Sequence, residues 1–138
     1  ASGISGDMTL GALIDAGAPL QKIQAAIESL GLPSCTLEIK EVKKKGFRAK
    51  QLTVQHEPEH AHRHLHHITE MIDGSGLTKN QQDLAKRIFT KLGEAEAKVH
   101  GTSLQKVHFH EVGAVDSIAD IVGCAVAFDL LGIQRVER

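Results

Sequence analysis

The chain has 138 residues, 16 Lys and Arg against 17 Asp and Glu, a formal charge of −1, 41% hydrophobic residues, four Phe and no Trp or Tyr. This length and apolar fraction fit one soluble domain of the commonest size, ~100–150 residues, while the neutral, aromatic-poor composition excludes a nucleic-acid binder, which needs a positive field and stacking platforms. The longest apolar stretch, 121–131, is broken by Asp129 and falls short of the ~20 residues of a membrane span, and the distant Cys35 and Cys124 read as reduced cytosolic thiols, not as a disulfide or a thiolate metal site.

Ala1 stands without Met or a signal peptide, and the Gly/Ser-rich opening leads to a short helix over 8–16, with Leu10, Leu13 and Ile14 on one face and Gly17 as its stop. Pro19 opens a second helix, in which Leu20, Ile23, Ile27 and Leu30 recur at helical spacing. Alternation predicts a strand over 36–42, a turn over KKKGFRA and a returning strand over 51–55. Leu65, Ile68, Met71 and Ile72 carry a third helix, and Thr78 caps a long fourth helix from Lys79 to about Val99, with Leu84, Ile88, Leu92 and Ala95 as its buried stripe and Gly101 as its end. LQKVHFHEVG reads as a strand and residues 116–131 as a largely buried helix. The order ααββααβα predicts an α+β fold, a small sheet including a β-hairpin packed against several helices. The closing LLGIQRVER begins to read as a strand at 133–136, so both ends suggest a segment of a longer protein.

Nine histidines are roughly three times an ordinary share, and five of them, His60, His62, His64, His66 and His67, fall in HAHRHLHH. As a helix start, His60, His64 and His67 share one face. As an extended segment, His60, His62, His64 and His66 point one way. Either arrangement suits a metal that favours imidazole; a solvated polar loop is the alternative. In the strand reading of His108-Phe109-His110-Glu111, the two imidazoles share a face while Val107 and Phe109 fill the core. Gly113 then permits a tight turn, after which Asp116 and Asp120 lie one turn apart near a helix N-terminus, able to hold a cation or orient a ligating imidazole, or simply to cap the helix. The opening loop, Ser2, Gly3, Ser5, Gly6 and Asp7, leads into a helix N-terminus that could receive an anion, with Asp7 as N-cap. It matches neither a Walker motif nor a dinucleotide fingerprint.

Taken together, SGISGDMTLGALIDAG, HRHL, AEAKVHG and VHFHEVGAVDSIADIVG resemble the family of nickel-insertion proteins that make the nickel-pincer cofactor of lactate racemase. The resemblance implies a cytoplasmic lyase-class protein that inserts nickel into a pyridinium bis-thiocarboxylate mononucleotide and consumes CTP with Mg or Mn. It also implies a homo-oligomer, with the apo lactate racemase as a possible partner. The matching polar positions are Asp7, His62, His64, His100, His108, His110, Glu111, Asp116 and Asp120. Residues 1–138 would then be an N-terminal domain, without the nucleotide-handling C-terminal region. In this reading the 60–67 segment collects nickel, the 108–120 segment presents it with Asp7, Glu111, Asp116 and Asp120 as catalytic carboxylates, and the opening loop lies near the substrate phosphate. A nickel or zinc storage module and a helical interaction domain with incidental histidines are the competing readings.

Overall fold

The computed structural model describes residues 6–57, 63–110 and 112–132, without the side chains of residues 6–8 and 44. The apolar spacing around Leu10 forms α1 (Gly6–Asp15), and Ile23, Ala26 and Ile27 form the buried stripe of α2 (Leu20–Glu28). β1 (Cys35–Lys44) and β2 (Phe47–His56) then pair antiparallel along their whole length, from Cys35 opposite His56 to Lys44 opposite Phe47. The strands therefore extend well into the segment expected to be the turn. The loop is only Lys45 and Gly46, both at positive φ (51° and 84°), the backbone that a two-residue hairpin connection demands.

α3 (Leu65–Asp73) buries Ile68 and Ile72, and α4 (Lys79–His100) starts at Thr78, whose hydroxyl accepts from the Gln81 amide at 3.2 Å. Gly101, left-handed at φ 65°, ends α4 as expected. The buried stripe of α4 differs from the expected one: Gln81, Ala85, Phe89, Gly93 and Ala97 face inward, Leu84, Ile88 and Leu92 are half-buried, and Ala95 is exposed. Close approach is the reason. A Cβ on Gly93 would lie 2.9 Å from Leu104 and 3.2 Å from the Phe109 ring, so the helix presents its small residues where its neighbours come nearest and sets its larger aliphatics to the flanks.

Residues 104–113 are not the strand that their alternation suggested. They contain a turn at 104–106 and one isolated bridge, Phe109 to Arg63, giving the order ααββααα. Alternation buries Val107 and Phe109 as expected, but among the described residues no neighbouring strand continues the ladder. The strand expected at 133–136 lies outside the described residues.

α5 (Val115–Leu130) is apolar nearly all round and correspondingly buried. It packs against α1, α2, α4 and β2, while α3 packs on α4. Phe89 and Phe109, both fully buried, meet edge to face at 6.5 Å. Asp129, the break in the apolar run, accepts from Asn80 Nδ2 at 2.8 Å and Gln81 Nε2 at 3.0 Å, tying the start of α4 to the end of α5. Among the described residues the sheet is this hairpin: its base, through Leu52, Leu37 and Val54, joins the core, and its tip is exposed. The architecture is thus the expected α+β arrangement.

Candidate metal centre

Arg63 organises the histidines. It is 9% exposed; its carbonyl accepts the Phe109 amide at 2.8 Å, and its guanidinium donates to the Gly113 carbonyl at 2.6 Å. One residue therefore clasps both ends of the 109–113 turn to the start of α3. Gly113 is required there because a Cβ would fall 2.8 Å from the Phe109 carbonyl oxygen.

The next residue is held as a metal-ligating imidazole would be. His64 Nδ1 lies 3.0 Å from the Val107 carbonyl; a carbonyl only accepts, so Nδ1 carries the proton and Nε2 holds the lone pair of the neutral ring. Such a backbone partner is what usually orients a metal-bound histidine. The His64 ring lies 4.1 Å from His108 and stacks at 5.5 Å on His66, and His66 lies 4.1 Å from His67. His67 is committed differently. Its Nδ1 accepts the His64 amide at 2.9 Å, so the neutral ring carries its proton on Nε2. Partial desolvation, then His66 and His64, hold its pKa below the ordinary imidazole value, with Glu70 opposing and Arg63 adding to the shift.

Four of the expected metal residues, His64, His66, His67 and His108, thus come together from two segments. They meet at the N-terminus of α3, not along one helix face or one strand. His110 instead turns toward His100, at 6.5 Å between rings, and His100 Nε2 reaches Glu96 at 3.3 Å. His108 and His110 share the lining of one pocket of about 240 Å³ with His100, Thr102, Lys106 and Val107.

The carboxylates fall at the other end of the clasp. Asp116 accepts from the Ser117 amide at 2.9 Å and lies 3.8 Å from His56 Nε2, so it joins β2 to the start of α5. The N-cap of α5 is Ala114, not Asp116. Asp120 is half-buried one turn before Cys124, whose thiol burial, aided by the Asp120 charge, pushes its pKa up to about 12. Both cysteines are free, as composition suggested. Gly6 and Asp7 lie in the first turn of α1, so Asp7 is not an N-cap. Ser2, Gly3, Ser5, His60, His62 and Glu111, and the side chain of Asp7, lie outside the described residues. Among the described residues no three His, Cys, Asp or Glu side chains are grouped so that they could hold a metal ion. Sequence reasoning missed Arg63, although HRHL contains it, and His56; their partners lie 50 and 60 residues away.

The family model described as nickel insertion protein matches residues 1–137. A relative from Rhodopirellula baltica whose name describes nickel insertion is 62% identical over 97% of this chain. One from Geotalea daltonii, similarly named, is 49% identical over 98%. A third, from Desulfitobacterium hafniense, is named as a pyridinium-3,5-bisthiocarboxylic acid mononucleotide nickel insertion protein and is 47% identical over 98%. The chain spans about a third of the length of these relatives, 34%, 35% and 34% respectively. No solved structure matches it. The chain, with its imidazoles gathered by Arg63, belongs to the nickel insertion protein family.

Proposed function

We propose that this chain is the part of a nickel insertion protein that holds nickel and presents it to a pyridinium bis-thiocarboxylate mononucleotide. The observation that carries this reading is His64: its Nδ1 is engaged by the Val107 carbonyl, and its ring lies against His108 from a distant segment. His64 Nε2 and His108 are the first two ligands. His66, stacked on His64, and the expected His60 and His62 are the candidates for the remaining positions. His67, whose Nδ1 lone pair is already used, acts as a brace.

The chemistry fits the cargo. Imidazole and carboxylate bind Ni(II) well enough to select it, whereas a thiolate cage would compete with the sulfur atoms of the acceptor. Asp116 and Asp120 support the centre through the start of α5. In this reading a full-length protein would use CTP with Mg or Mn outside this chain, as a cytoplasmic homo-oligomer of the lyase class, with the apo lactate racemase as its candidate partner.

Isothermal titration of nickel tests the centre. His64→Ala and His108→Ala should each weaken binding by tenfold or more, while His56→Ala leaves it unchanged. Equal affinity and stoichiometry in all the variants would sink the proposal.

A further inference from the structure

The pocket of about 240 Å³ beside the metal centre has a wall of one chemical character. His100, Thr102, Lys106, His108 and His110 line it with Val107, offering an ammonium, a hydroxyl and three imidazoles. Among the described residues, no carboxylate lines it. At its edge Glu96 is paired with His100 at 3.3 Å. At the carboxyl end of α4 the Ala97 carbonyl accepts from the amides of Gly101 and Thr102.

A metal ion fits this wall poorly. Lys106 would repel it, and the His100 and His110 rings stand 6.5 Å apart at 62°. An anion with several hard oxygen acceptors fits well, since charge-assisted hydrogen bonds from ammonium, imidazole and hydroxyl donors are the strong kind. His108 belongs both to this wall and to the pair with His64, so a ligand held here has its far end next to the nickel.

Resting on the function proposed above, we propose that this pocket binds the phosphate of the mononucleotide substrate, with Lys106 and Thr102 as its principal contacts. The soft thiocarboxylates then face His64 and His108. Phosphate capture thereby sets which end of the substrate meets the metal, and moves the phosphate site from the opening loop to residues 100–110.

The probes are nicotinate mononucleotide and nicotinate riboside, which differ by the phosphate alone, titrated calorimetrically into the chain. The mononucleotide should bind at least tenfold tighter than the riboside. Thr102→Ala/Lys106→Ala should erase that preference, Lys106→Arg should keep it, and inorganic phosphate should compete. Both changed side chains are at the surface or only half-buried, and an unaltered thermal midpoint checks the fold. A preference that survives the double variant overturns the assignment. So does a fall in nickel affinity in that variant, which would make the pocket part of the metal centre. A chain that shows the phosphate preference but binds no nickel supports the pocket and overturns the metal centre instead.

Discussion

At the scale of single residues, protons decide what each group can do. The hydrogen bond from His64 Nδ1 to the Val107 carbonyl settles a tautomer that the sequence leaves open, and the His64 amide settles the opposite one for His67. Cys124 is a simpler case. Burial and the Asp120 charge raise its pKa from 9.0 to about 12. Between those values the unfolded chain has released the thiol proton and the folded chain keeps it, so raising the pH favours unfolding. Stability should therefore decline above pH 9 with a Cys124 contribution of at most ~1.4 kcal/mol per pH unit. Urea denaturation at pH 8 to 10.5 checks this: Cys124→Ala should show a shallower slope than the parent chain, and parallel slopes would refute it.

At the scale of elements, the Arg63 clasp joins α3 to the turn that enters α5. The guanidinium bond to Gly113 is charge-assisted and buried, and such bonds contribute about 1.5–3 kcal/mol. Arg63→Ala should lower unfolding free energy by about 2 kcal/mol and weaken nickel binding as His64 and His108 drift apart, with Arg63→Lys intermediate in both. A loss below about 0.5 kcal/mol, the range of an ordinary surface substitution, would show that the clasp is dispensable. Element positions were largely legible, because helical spacing around Ile23 and Ile27, the Thr78 cap and the Gly101 stop are local signals. The 104–113 segment was misread because Val107 and Phe109 alternate with His108 and His110 as a strand would. Alternation reports only which side is buried; a strand also needs a partner ladder, and that is non-local.

At the scale of the whole molecule, stability is concentrated around α5 and runs out along the hairpin. The α5 residues from Ile118 to Ala127 are almost entirely buried, whereas Phe47 at the hairpin tip is 77% exposed among Lys43, Lys45, Arg48 and Lys50. Local opening follows buried contact. Amide exchange should be slowest in the middle of α5 and fastest among the described elements at residues 43–50, and tip amides protected as strongly as those of α5 would contradict this order. The sequence by itself determined the α+β class, most helix limits, the inward side of residues 107–109 and the imidazole-rich chemistry, since each depends on residue type and short spacing. Only the tertiary structure decided that His64 meets His108 while His110 turns to His100, that Asp116 faces His56, and that Arg63 holds the assembly. Those pairings join residues 44 to 60 positions apart, apart from the ten between His100 and His110, and depend on how close Gly93 and Gly113 let the backbone approach Phe109, which no local pattern encodes.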